Sequence, residues 1–229
     1  MKKDISQIIS KTKAIIFDMD GVLLDTESIC DYAWEKAASE QGLLDISEGL
    51  EKCRGTTKIE TKKILNSLYC KKDSKIQLDV ELFMQRTHEI FYEVEEKEGI
   101  KLMYYAKEAL EFLSQKFVLA LASSTRGEPV HRQLTNAGLI KYFEVMITGD
   151  MVKNSKPDPE IYKRACDELN LKPCECIAVE DSPNGIKSAY EAGIPVVMIP
   201  DKIAPNKTTE NVTITTVENL EEFCDLFTE

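Results

Sequence analysis

Residues 14–25 of the chain read Ala-Ile-Ile-Phe-Asp-Met-Asp-Gly-Val-Leu-Leu-Asp. A short apolar run that ends in charge and glycine is typical of a buried parallel strand. Asp18 and Asp20 come at its end, and because side chains alternate along a strand, both point to the same side. Open α/β sheets bind ligands at the carboxyl ends of their strands. We therefore expect these two carboxylates to face a ligand site.

Two carboxylates held this close repel each other unless a cation or a shared proton lies between them. Carboxylate oxygens suit Mg²⁺, so the pair predicts a magnesium site. A strand-end turn with two solvated aspartates would give the same short pattern. A calcium-binding loop would not, because it needs further oxygen ligands that Val22, Leu23 and Leu24 cannot supply.

Strands and helices alternate through the second half of the chain. Apolar runs predict buried strands at 117–122, 144–148, 176–179, 195–199 and 213–215. This alternation requires right-handed crossovers and gives an α/β fold, a Rossmann-like doubly wound parallel sheet. About a hundred residues separate the first strand from the second, far more than one crossover needs. We therefore expect a core formed by residues 1–25 and 99–229, with an inserted all-α domain of residues 26–98.

Local signals mark individual helices. In the insertion, apolar residues at helical spacing predict helices that start near residue 26 and cover 58–69 and 79–96. Thr57 followed three residues later by Glu60 forms a capping-box pattern. In the core, Asp158 is predicted as an N-cap because Pro159 follows it, at the first position of a helix.

Polar residues follow the second and third core strands. Ser123 and Ser124 end the second strand, where a hydroxyl and backbone N–H groups can form a cradle for an oxyanion. Lys156 follows the third strand, and the prolines at 157 and 159 stiffen its loop, so it can deliver a fixed positive charge to a phosphate beside the carboxylates. A helix-capping serine and a solvated loop lysine are the alternatives.

Glu180 and Asp181 follow the fourth core strand. Paired acids at this position would add the oxygen ligands that a magnesium site at Asp18 still lacks. An acid pair that interacts with the dipole of the next helix is the alternative. Four such signals, each beside the end of a predicted strand, favour one working active site.

These segments resemble the motifs of one known family. The run 18–26 is similar to the first motif of the haloacid dehalogenase (HAD) superfamily, within its phosphatase and β-phosphoglucomutase-like branch. The segments around Ser123, Lys156 and residues 179–186 resemble its second, third and fourth motifs, in that order. The resemblance implies a helical cap that is hinged just after the first motif and closes over the substrate, which would shield the reaction from water.

The resemblance also implies roles for single residues. Asp18 would attack phosphorus and Asp20 would act as general acid and base. The expected phosphate-binding groups are Ser123, the Ser124 amide and Lys156. The expected Mg²⁺ ligands are Asp18, Asp20 through its carbonyl group, Glu180 and Asp181. The cap residues expected to contact the substrate, a small phosphorylated metabolite such as a sugar phosphate, are Arg54 and Lys58.

Three functions fit these residues. A magnesium-dependent phosphatase that works through an aspartyl-phosphate is favoured. β-Phosphoglucomutase is the second. This chain, however, has Cys30 where the mutase has a cap histidine and Lys58 where it has a cap arginine. The single ammonium group of lysine is a poor replacement for the two-point contact that an arginine guanidinium makes with a phosphate. A non-catalytic binding protein is the third, although Asp18 and Asp181 are both retained.

Composition limits the partners. The formal net charge of −11 argues against nucleic acid, whose phosphates attract basic surfaces. No apolar run approaches the roughly 18 residues of a membrane helix, and no apolar signal region follows Met1. Seven scattered cysteines are interpreted as free thiols of a reducing compartment. We expect a cytoplasmic monomer that does not associate with membranes.

Overall fold

A computed structural model describes residues 5–54, 56, 58–70 and 77–228. Contacts between residues divide the chain into two compact units, which are treated separately below. One unit runs to Asp25 and resumes at Lys101, and the other runs from Thr26 to Ile100. The second junction therefore lies at Ile100, two residues beyond the 98 expected from sequence.

The first unit is built on a six-stranded sheet in the described part of the chain. Its strands are β1 (Ala14–Phe17), β2 (Val118–Ala122), β3 (Val145–Ile147), β4 (Cys176–Glu180), β5 (Val196–Met198) and β6 (Thr215–Thr216). They lie in the order β3-β2-β1-β4-β5-β6, and every neighbouring pair is parallel. The predicted Rossmann-like α/β fold is confirmed.

Helices connect the strands of this unit and make up the second unit. In chain order they are α1 (Ile5–Ile9), α2 (Thr26–Glu40), α3 (Ser47–Cys53), α4 (Lys58–Tyr69), α5 (Val80–Glu98), α6 (Ala106–Leu113), α7 (Gly127–Asn136), α8 (Glu160–Leu169), α9 (Pro183–Glu191), α10 (Lys207–Val212) and α11 (Leu220–Asp225). Among the described residues, no helix is long and apolar enough to cross a membrane.

The central strand is apolar throughout because both faces of the sheet are covered. All four residues of β1 have no exposed surface, as expected for a parallel strand between two layers of helices. Its neighbours are β2 and β4, and the register aligns Phe17 with Leu121 on one side and with Val179 on the other. The residues that follow these three positions therefore emerge together at one edge of the sheet.

The helical unit has a hydrophobic core of its own. The rings of Trp34 in α2 and Phe83 in α5 meet edge to face, with centroids 5.1 Å apart. Asp79 caps α5 by accepting a hydrogen bond from the Leu82 amide at 3.1 Å. The cap predicted at Thr57 lies outside the described residues.

Short polar elements account for most of the differences from the sequence predictions. The short helices α1, α3 and α10 were not predicted, because five to seven residues carry too little apolar periodicity. The helix α8 begins at Glu160, one residue after the predicted first helical position at Pro159. Asp158 does make the capping hydrogen bond expected of it, because it accepts from the Glu160 amide at 2.9 Å. The last strand lies at Thr215–Thr216 rather than 213–215.

Candidate active site

Adjacent strand ends place polar side chains side by side. Asp18 directly follows β1, Ser123 directly follows β2, and Glu180 is the last residue of β4. The backbone ladder continues to these positions, because the Asp18 amide donates to the Val179 carbonyl at 3.0 Å. The sheet register therefore fixes the positions of these three residues.

Lys156 joins two of these carboxylates. Its Nζ lies 2.7 Å from Asp18 Oδ1 and 2.5 Å from Glu180 Oε1. It also donates to the Ala122 carbonyl at 2.8 Å, which anchors the ammonium group to the end of β2. The Lys156 side chain is 7% exposed and that of Glu180 is fully buried, so these ion pairs are shielded from water.

Three carboxylates form a compact group. Asp18, Glu180 and Asp181 each offer an oxygen, and these oxygens all lie within 4.8 Å of one another. Hard carboxylate oxygens are the donors that Mg²⁺ prefers. A single ammonium group cannot neutralise three carboxylates, so this donor set fits a divalent cation.

Hydroxyl groups of the loop that follows β2 contact the Asp20 carboxylate. Its Oδ2 accepts a hydrogen bond from Thr125 Oγ1 at 3.0 Å and a longer one from Ser123 Oγ at 3.5 Å. The Thr125 amide in turn donates to Ser123 Oγ at 3.1 Å. Ser123 is buried, whereas Ser124 is exposed. Asp20 is thus held by the loop that follows β2, beside the three-carboxylate group.

Burial perturbs the charges at this edge. Burial raises the pKa of Asp18 from 3.8 to about 7; Lys156 opposes this rise, while Glu180 and Asp20 add to it. Burial alone would lower the pKa of Lys156, but the carboxylates of Asp18 and Glu180 raise it above its ordinary value. Lys156 therefore stays charged, whereas full ionisation of Asp18 at neutral pH calls for a further cation.

Two glycines make room for the carboxylates, and sequence reasoning did not single out either. Gly21 has φ +73°, and a Cβ there would lie 2.6 Å from Asp181 Oδ2. A Cβ on Gly185, in the first turn of α9, would overlap the Glu180 carboxylate. A glycine inside a helix lowers its stability. The glycine in the first turn of α9 is therefore the sequence feature that could have indicated a close contact at this position.

Sequence reasoning also missed the role of the serine that precedes α9. Ser182 caps α9 by accepting a hydrogen bond from the Gly185 amide at 3.1 Å. Its hydroxyl also donates to Glu180 Oε2 at 3.2 Å. Ser182 therefore links the start of α9 to the Glu180 carboxylate.

The two predicted cap residues belong to the helical unit. Arg54 makes a two-point contact with Asp31 at 2.8 and 2.9 Å and a further contact with Glu27 at 3.2 Å. Lys58 is exposed at the start of α4. A role for either residue in binding substrate stays a prediction.

Fold and site define a class of protein, and comparison with known proteins agrees with it. The family model for haloacid dehalogenase-like hydrolases matches residues 15–199, so the chain belongs to this family. The expected membership of the HAD superfamily is confirmed.

Relatives named as phosphatases match most of the chain. It is 39% identical over 188 residues to a phosphorylated carbohydrates phosphatase of Thermotoga maritima, a match that covers 80% of this chain and 82% of the relative. It is 30% identical over 189 residues to hexitol phosphatase A of Escherichia coli, with 82% and 83% covered. The predicted enzyme class, a HAD-type phosphoric monoester hydrolase, is confirmed by these relatives.

A solved structure gives the same result for the whole fold. A Thermotoga maritima protein provisionally named a β-phosphoglucomutase superimposes with a TM-score of 0.76 at 33% identity. The match covers 94% of this chain and 98% of the other.

Proposed function

We propose that this protein is a magnesium-dependent phosphatase that hydrolyses a small phosphomonoester, a phosphorylated carbohydrate or a similar metabolite, through an aspartyl-phosphate on Asp18. The observation that carries the proposal is the buried Asp18 carboxylate, held 2.7 Å from Lys156 beside Glu180 and Asp181. The names of the two phosphatase relatives support the substrate class.

The chemistry would proceed in two displacements. A carboxylate oxygen of Asp18 attacks phosphorus in line, the bond from phosphorus to the leaving oxygen breaks, and Asp20 donates a proton to that oxygen. Asp20 then removes a proton from water as the water attacks phosphorus. This second step breaks the acyl-phosphate bond, releases phosphate and restores the Asp18 carboxylate.

The remaining groups would bind and orient the phosphoryl group. Ser123 and the Ser124 amide contact its oxygens, and Lys156 supplies positive charge next to the nucleophile. Bound Mg²⁺, held by Asp18, Glu180, Asp181 and the Asp20 carbonyl, would neutralise carboxylate charge so that a phosphate dianion can approach. Arg54 and Lys58 would contact the rest of the substrate.

A substrate screen tests the proposal. Wild type, Asp18→Asn and the matched control Asp167→Asn are incubated with a panel of phosphorylated sugars and polyols, with Mg²⁺ or with EDTA, and phosphate release is measured. Asp167 is exposed on α8, so its substitution should leave activity unchanged. We expect Mg²⁺-dependent release from at least one compound by wild type and the control, and none by Asp18→Asn. Full activity of Asp18→Asn would contradict the nucleophile assignment.

Phosphoryl transfer within a sugar is the second candidate, because the solved structure described above carries a β-phosphoglucomutase name. Cys30 and Lys58 replace the residues expected of a mutase, so hydrolysis is preferred. Conversion of a sugar 1-phosphate to its 6-phosphate faster than phosphate release would reverse that preference.

The protein is proposed to act as a cytoplasmic monomer. None of its seven cysteines forms a disulfide, which suits a reducing compartment. Size-exclusion chromatography with light scattering measures the oligomeric state, and a dimer mass would contradict this part of the proposal.

A further inference from the structure

Tyr162 contacts both members of the buried Lys156–Glu180 ion pair. It lies on α8 and has no exposed surface. Its hydroxyl donates a hydrogen bond to Glu180 Oε1 at 2.7 Å. The centre of its ring lies 5.1 Å from Lys156 Nζ, within the range of a cation–π contact. One side chain thus meets a carboxylate and an ammonium group of the candidate site.

These contacts restrict the orientation of Glu180. Oε1 accepts hydrogen bonds from Tyr162 and Lys156, and Oε2 accepts one from Ser182. The three donors come from three separate segments, so rotation of the carboxylate would break at least one bond. Such fixing matters for a metal ligand, because hydrogen-bonding partners behind a ligand hold it in the geometry that the ion requires.

We infer that Tyr162 is a positioning residue for divalent metal binding: its hydroxyl holds Glu180 in the orientation from which Asp18, Glu180 and Asp181 share one cation. The inference rests on the proposed function for the identity of the metal. The phenol is uncharged, so it adds a donor to Glu180 without competing with the cation for charge. Without the phenol, Glu180 would keep Lys156 on Oε1 and the longer bond from Ser182 on Oε2, and nothing would oppose a turn of Oε1 toward the ammonium group.

A purely structural role for Tyr162 predicts something different. The ring packs among buried residues of the core, including Ile161 and Ala165 of the same helix. If it only filled space, phenylalanine would replace it with no effect on metal binding. The hydroxyl can therefore be tested separately from the ring.

The experiment measures Mg²⁺ binding to the substrate-free protein by isothermal titration calorimetry. Tyr162→Phe is compared with wild type and with Tyr142→Phe, in which the hydroxyl removed donates to Glu111 at 3.0 Å. That control makes the same chemical change at a half-exposed position before β3, away from the carboxylate group. We expect the Kd of Tyr162→Phe for Mg²⁺ to rise about tenfold or more, and that of Tyr142→Phe to match wild type.

A double-mutant cycle shows whether Tyr162 acts through Glu180. In a Glu180→Gln background, the change Tyr162→Phe is expected to weaken Mg²⁺ binding no further. Circular dichroism and the unfolding midpoint in EDTA verify that each variant is folded. A folded Tyr162→Phe protein that binds Mg²⁺ within about twofold of wild type would overturn the inference, as would a full additional loss in the Glu180→Gln background.

The result can be separated from the proposed function. A wild-type protein that binds Mg²⁺ but hydrolyses no phosphomonoester would refute the phosphatase proposal, and the Tyr162 comparison would still be measured. Wild-type protein that binds no Mg²⁺ would overturn the inference outright.

Discussion

Replacing Asp18 with asparagine is expected to stabilise the metal-free protein, and to do so more at pH 8 than at pH 5. The pKa of Asp18 is raised from 3.8 to about 7, mainly by burial. The folded protein therefore holds this proton more tightly than the unfolded chain does. The penalty for ionising Asp18 is absent below about pH 4, grows as the pH rises, and is complete above about pH 7.

The magnitude follows from the shift. A rise of about three pKa units at roughly 1.4 kcal/mol each gives a penalty on the order of 4 kcal/mol above pH 7. At pH 5, about one unit above the ordinary value, it is on the order of 1–2 kcal/mol. Asparagine keeps an oxygen that can accept a hydrogen bond from Lys156, so the variant avoids the penalty without losing that contact.

Urea denaturation in EDTA at the two pH values measures the effect. The stabilisation by Asp18→Asn should be larger at pH 8 by about 2–3 kcal/mol, and saturating Mg²⁺ should reduce or reverse it because the cation favours the ionised wild-type carboxylate. The control Asp167→Asn should show no such pH dependence. An Asp18→Asn protein that is no more stable than wild type at pH 8 would refute the reasoning.

Three further predictions follow from single contacts. Gly185→Ala places a Cβ on the Glu180 carboxylate, so it should destabilise the protein by roughly 2 kcal/mol or more, and a thermal unfolding midpoint equal to that of wild type would contradict this. Lys156→Met leaves the fully buried Glu180 without its charged partner and should cost about 3–5 kcal/mol in urea denaturation; a loss under about 1 kcal/mol would contradict it. Arg54 contacts Asp31 through Nη2 and Glu27 through Nη1, whereas lysine offers one nitrogen for both carboxylates. If Arg54 binds substrate as proposed, Arg54→Lys should raise KM by a larger factor than it lowers kcat in steady-state kinetics, and an unchanged KM would contradict that role.

The sheet and the positions of the carboxylates were predictable because both depend on short-range patterns. A buried strand is an apolar run, and the residue after it lies at the sheet edge whatever the rest of the chain does. Asp18, Ser123 and Glu180 were found in this way. The register of β1 with β2 and β4 then brought them together.

The residues that sequence reasoning missed act through contacts between distant segments. Tyr162 lies in an amphipathic helix, where an aromatic residue is usually part of the core, and nothing near it in sequence indicates that its hydroxyl reaches Glu180. Thr125 and Ser182 read as ordinary loop and capping residues. Their second hydrogen bonds, to Asp20 and Glu180, depend on the sheet register, which local patterns do not specify.

The most direct test of the proposed mechanism is detection of the phosphoryl group on Asp18. Asp20→Asn is mixed with a substrate whose leaving group needs no proton, such as p-nitrophenyl phosphate, in the presence of Mg²⁺, then quenched in acid and mapped by mass spectrometry. The first displacement can still occur, but water lacks its base, so the intermediate should accumulate. The account predicts one phosphoryl group, labile to hydroxylamine, on the peptide that contains Asp18. Turnover of the substrate by wild type with no phosphorylated Asp18 peptide in the quenched Asp20→Asn sample would contradict it.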